Sequence, residues 1–159
     1  MSFPNDRIYI RDANLQFSDN AAAYGASGYM QVGGANAIID LMGNQGTTPV
    51  QQARGEWVAE VNVTALKISA GNETYKLLVV VSNDPGLATG NVVAGAIEIG
   101  KGASLDLLNG ADSVIGTYEV MFTNNIAGSI YEYAGVYLVA GGAAPSISIE
   151  GGFAPLPCT

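Results

Sequence analysis

From Tyr131 to Ala140 tyrosines and aliphatic residues alternate, a Gly-Gly-Ala-Ala-Pro break follows, and the chain resumes as Ser-Ile-Ser-Ile-Glu-Gly-Gly. A strand sends successive side chains to opposite faces. Tyr131, Tyr133, Tyr137 and Val139 therefore share one side, and Ala134, Val136 and Leu138 the other. Both sides are apolar. The outer face of a two-layer sandwich is ordinarily wetted. A strand that asks for cover on both sides, in a chain poor in helical pattern, implies cover from outside by a neighbouring subunit or a large partner surface.

The rest of the chain points the same way. Twenty-one glycines and only 13% charged residues are at odds with long amphipathic surface helices, which draw on Lys, Glu and Arg. At 159 residues the chain is long enough to bury one core without disulfides or metals. Glu56 to Val63 is a clean half-buried strand, with Trp57, Ala59, Val61 and Val63 inward against Glu56, Glu60 and Asn62. Tyr75 to Ser82 is apolar on both faces and reads as a fully buried central strand that ends at Asn83-Asp84-Pro85-Gly86. Ala94 to Ile99 places Ile97 and Ile99 inward around an exposed Glu98, and Thr117 to Thr123 sets Tyr118, Val120 and Phe122 against Thr117, Glu119 and Met121. Arg7 to Arg11 is a short strand, Ala37 to Leu41 a strand or one helical turn, and Ser104 to Leu108 a short strand or turn. Gly43 to Gly55 has the composition of a surface loop. About eight short strands on glycine-rich connections make the fold class all-β, a jelly-roll-like antiparallel β-sandwich. Residues 1–34 carry little periodicity and are expected to form an extended, wrapping N-terminal arm; residues 35–159 form the sandwich domain.

Enzyme chemistry finds few reagents here. Histidine is absent, which removes the commonest general base and the commonest neutral metal ligand. The single cysteine, Cys158, has no histidine to activate it, and a four-thiolate metal site is excluded. Gly100-Lys101-Gly102 lacks the remainder of a phosphate loop, and Ser82-Asn83-Asp84 lacks the spacing of a calcium loop, so turn capping accounts for the latter. The expectation is no catalytic residue, no cofactor and no metal. Fourteen acidic residues against six basic ones give a net charge of -8, which repels nucleic acid and anionic membranes. The first residues lack a secretory signal pattern, and no apolar run approaches the roughly 18 residues of a membrane span.

The order of several segments resembles the bacteriophage capsid cement, or head decoration, proteins of the Bordetella-phage type. They are Leu15-Gln16-Phe17-Ser18-Asp19-Asn20-Ala21, Ile38-Ile39-Asp40-Leu41, Val79-Val80-Val81-Ser82-Asn83-Asp84, Gly100-Lys101-Gly102-Ala103 and the closing stretch from Tyr131 to Gly152. The resemblance implies a jelly-roll domain made in the bacterial cytoplasm that trimerises and sits on the outer surface of an icosahedral head, bridging major capsid subunits. Leu15, Phe17, Tyr24 and Tyr29 of the arm, with Tyr131, Tyr133 and Tyr137 of the late strand, are the candidate interface residues. The rival expectation is a lectin-like module of a phage appendage that stacks exposed tyrosines on sugar rings. A carboxylate-based glycosidase is the enzyme alternative.

Overall fold

A computed structural model describes residues 13–41, 55–106 and 111–156. Its strands are β1 (Gln16–Asp19), β2 (Gly28–Tyr29), β3 (Gln31–Val32), β4 (Ala35–Asn36), β5 (Ile39–Asp40), β6 (Glu56–Leu66) and β7 (Thr74–Ser82). They continue with β8 (Val92–Gly100), β9 (Gly116–Thr123), β10 (Asn125–Ile126), β11 (Ser129–Ile130), β12 (Tyr133–Gly141) and β13 (Ile147–Pro155). Two short 3₁₀ turns, Ala13–Leu15 and Gly102–Ser104, are the helical elements among the described residues.

Two antiparallel sheets pack as a sandwich. Sheet A runs β1-β13-β6-β9; sheet B runs β2-β12-β7-β8, with β5 also pairing β12. The pairings nest. The outermost, β1 with β13, encloses β2 and β5 with β12, then β6 with β9, and innermost β7 with β8. A long hairpin wrapped around itself in this order is the jelly roll.

The core is built by alternation. Ala59, Val61 and Val63 of β6, Leu77, Val79 and Val81 of β7, Ala134, Val136 and Leu138 of β12, and Ile147, Ile149 and Phe153 of β13 all point between the sheets and are buried. Phe17, Phe153 and Phe122 form an aromatic chain, with ring centroids 5.1 and 5.2 Å apart. Gly151 makes this possible: a Cβ there would lie 2.4 Å from the Phe17 ring. Burying each such side chain contributes ~1.5–3 kcal/mol. Tyr75 ties the end of the sandwich. Its buried hydroxyl donates to the Lys67 carbonyl at 2.7 Å and accepts the Ser146 N–H at 2.8 Å.

Of residues 1–34, expected to wrap a surface, the described part wraps its own sandwich. β1 lies on the edge of sheet A with Phe17 fully buried, and β2 lies on the edge of sheet B. Arg7 to Arg11, nearly all of the Gly43 to Gly55 loop and Cys158 fall outside the described residues. Ile39–Asp40 resolves the Ala37 to Leu41 ambiguity as strand. Of Ser104 to Leu108, Ser104 closes a 3₁₀ turn. Two local expectations are corrected. Glu98 is buried, because the segment through Asp106 folds over it and the Asp106 N–H donates to its carboxylate at 3.1 Å. Leu78, expected to be fully covered in a central strand, is only half-buried, because it points out of sheet B, where no described strand packs over it.

Candidate interaction face

The outward positions of sheet B follow from its register. Tyr29, Tyr137, Leu78 and Ala96 stand directly opposite one another on β2, β12, β7 and β8, a row of apolar and aromatic side chains across the sheet. One row along, Gly135, Val80 and Val93 align, and on the other side Val139, Lys76 and Glu98. Tyr133 faces outward beside Asp40 and Ser82. Tyr29 and Tyr137 meet edge to face with centroids 5.0 Å apart. Val93 is 54% exposed and Val139 38% exposed.

Local devices shape this face. At Gly135 the loop after β7 folds back, and Leu87 lies where a Cβ would otherwise stand, 2.7 Å from that position. Leu87 is buried despite a φ of 49°, a conformation that costs a non-glycine residue on the order of 1 kcal/mol or more. Asp84 holds the loop: its carboxylate accepts the N–H groups of Gly86, Ala88 and Thr89 and the Thr89 hydroxyl at 2.9–3.1 Å. Those bonds, that from Gly86 foremost, keep the Asp84 carboxyl below its ordinary value. Lys76, the cation of the face, is matched by acid, with Asp106 at 2.9 Å and Glu98 at 3.5 Å. The hydrogen bond to Asp106 raises its pKa first among the causes. The central rows are left uncharged. Loss of water around Tyr29 and Tyr133 raises both phenols.

The outer face of sheet A differs in kind. Val58 and Ala154 are buried near one end, with Glu56 beyond them and Glu60, Glu119 and Glu150 along the rest. Glu60 lies opposite Glu119, and Asp19 opposite Glu150. Like charges in directly opposed positions are unfavourable. Carboxylates thus run along the outer face of sheet A beside the exposed Met121, whereas those on the outer face of sheet B, Asp40, Glu98 and Asp106, stand at the rim of an uncharged row.

The structure brings Tyr29, Tyr133 and Tyr137 together on the outer face of sheet B, and separates the other four candidates from them. Phe17 is core. Leu15, Tyr24 and Tyr131 are half-buried and pack against the core. The Tyr24 hydroxyl is engaged with Ser18 at 3.0 Å and the Gln31 N–H at 3.1 Å. Tyr131 precedes β12 and lines a cleft of about 480 Å³ with Ser82, Asn83, Asp84, Thr89, Gly90 and Ser129. Leu78, Val93 and Ala96 complete the face. Sequence reasoning missed Leu78 inside its apolar run, where no period sets it apart; its place on the face follows only from its register opposite Tyr137. Among the described residues no group of three His, Cys, Asp or Glu side chains is placed to hold a metal, and no helix is long and apolar enough to cross a membrane.

Fold and face together define a jelly-roll β-sandwich with carboxylates along one outer surface and an uncharged aromatic row across the other. Compared with protein-family models, curated proteins and solved structures, the chain finds no match.

Proposed function

We propose that the chain is a structural decoration protein that docks on the outer surface of an icosahedral phage head by the outer face of sheet B, bridging major capsid subunits as the resemblance implies. The observation that carries this reading is the uncharged row Tyr29, Tyr137, Leu78 and Ala96, flanked by exposed Val93 and Val139. Aromatic and aliphatic side chains without charge at the centre, with a paired ionic cluster at the rim, are the composition of a protein interface. Work of this kind needs no reacting group. A subunit that binds the assembled shell and not its separated pieces stabilises assembly by mass action, and several copies acting together multiply the effect.

The test mixes purified protein with undecorated heads and measures co-sedimentation. Leu78→Ser with Tyr137→Ser should abolish binding while thermal unfolding stays cooperative. Binding that survives both changes contradicts the reading. A second reading, a sugar-binding module, is favoured by the cleft at Tyr131, whose ring and the exposed Asn83 offer a stacking surface beside a polar group. Glycan-array binding lost on Tyr131→Ala would select it; an array without signal would remove it.

A further inference from the structure

The two sheets end on the same side of the molecule, in β8 and β9. Their edges are treated differently. In β8 the Lys101 N–H donates to the Glu73 carbonyl, so alternate residues, Gly100 among them, turn their backbone groups away from β7. At Gly100 that edge is closed: Ser113 donates its N–H to the Gly100 carbonyl at 2.9 Å and accepts the Gly100 N–H on its hydroxyl at 3.0 Å.

In β9 the same phasing follows from two bonds. The Asn124 N–H donates to the Gly55 carbonyl, and the Leu156 N–H donates to the Glu56 carbonyl, so Glu56 faces β13. Thr117, Glu119, Met121 and Thr123 therefore turn their N–H and C=O groups outward. No described residue outside β9 gives a backbone bond to Thr117, Glu119 or Met121. The edge carries no proline and no lysine, the usual guards of an open strand. Exposed apolar side chains gather along it: Met121 at 60%, and Val114 and Ile115 at 69% and 62% just before it. The opposite side of the sandwich ends in β1, β2 and β5, of two to four residues each.

We infer that β9 is a self-pairing edge, joined antiparallel to β9 of a second copy across a two-fold axis so that sheet A continues through both chains. One register satisfies the strand from end to end. With Val120 opposite Val120 of the copy, Thr117 meets Thr123, Tyr118 meets Phe122 and Glu119 meets Met121. Thr–Thr and aromatic pairs are favourable cross-strand neighbours, and the single carboxylate of the edge faces a neutral partner. Centring on Glu119 instead sets two carboxylates against each other. The phasing argues for a second copy as occupant, since every outward residue of β9 meets an outward residue of the copy and the exposed Met121 of each chain gains a neighbour. The two Glu119 carboxylates, diagonal across the axis, oppose the contact until salt screens them. Two chains of net charge -8 still repel, so the contact tightens as salt rises. The inference rests on strand geometry and stands apart from the shell-docking reading. It is also independent of threefold association through other surfaces: alone it gives two chains per particle, with a trimer it gives six.

Sedimentation equilibrium across protein and salt concentrations is the first test, with an even number of chains expected and a higher fraction paired in high salt. Glu119→Pro removes an outward N–H, along with the carboxylate, and takes no bond from β6; it should halve the mass. A second variant does not depend on how proline is tolerated. In a Cys158→Ser background, Glu119→Cys with Met121→Cys should give reducible covalent dimers on mild oxidation, and Glu119→Cys alone should not. Particles of one or three chains at every concentration overturn the inference, as does cross-linking by Glu119→Cys alone equal to that of the pair.

Discussion

Tyr75 shows how one side chain holds a corner of the sandwich. Its ring is core, while its hydroxyl reaches out of β7 to the Lys67 carbonyl and the Ser146 N–H, on the two segments that flank it. Tyr75→Phe keeps the ring and strands both partners, so it should cost about 1–3 kcal/mol, read as a lower urea midpoint with unchanged slope. Charged residues set the acid limit. Asp19, Asp84 and Asp112 all have lowered carboxyl pKa values. The leading cause is the Gly33 N–H for Asp19, the Gly86 N–H for Asp84 and the Lys101 ammonium, 2.7 Å away, for Asp112. A carboxyl depressed in the folded state contributes stability above its unfolded pKa and loses it as pH falls through the lowered folded value. Thermal stability should therefore be flat near neutrality and fall below about pH 4, the unfolded carboxylate range. Asp84→Asn should flatten that fall while lowering stability at neutral pH, checked by melting curves across pH.

At the scale of elements, length decided what could be read from the chain. β6 and β9 are long enough for alternation to declare itself: Ala59, Val61 and Val63 are buried with Trp57 half-buried, and Val120 and Phe122 are buried with Tyr118 half-buried. In β12, by contrast, the period separates two apolar sides without saying that Ala134, Val136 and Leu138 form the core. β1 and β2 are too short for any period. Phe17 sits at a bulge where the register against β13 shifts, so its burial is set by a partner more than a hundred residues away. The same limit hid the candidate face. Tyr137 was legible as an interface candidate, but the residues beside it come from β2, β7 and β8, and only register supplies them. Tyr131 had the spacing to join the face and does not, because β12 begins at Tyr133. Gly151 tests the β1–β13 contact. An added methyl collides with the Phe17 ring at 2.4–2.5 Å and with the Glu60 carbonyl at 2.7 Å. Gly151→Ala should destabilise by about 1–3 kcal/mol, the range for overpacking, measured by denaturant unfolding. Gly28→Ala meets nothing within 4 Å and serves as the control.

For the whole molecule, the distribution of surface matters more than its total. Carboxylates line the outside of sheet A, and tyrosines with aliphatic residues line the outside of sheet B. On the proposed reading the apolar face meets the shell and the carboxylate-bearing face meets solvent, where the net charge of -8 keeps decorated particles apart. Docking driven by apolar burial should carry a negative heat-capacity change, and calorimetric titration of heads with protein at several temperatures measures it. A change near zero would point to polar recognition through some other surface. The β9 edge, a quarter-turn away from both faces, stays free to pair while sheet B is covered. The most direct measurement is a cryo-electron microscopy map of a particle carrying this protein. The account predicts density outside the shell with Tyr29, Leu78 and Tyr137 against capsid subunits; density that touches the shell through Glu60 and Glu119, or no density on the shell, would contradict it.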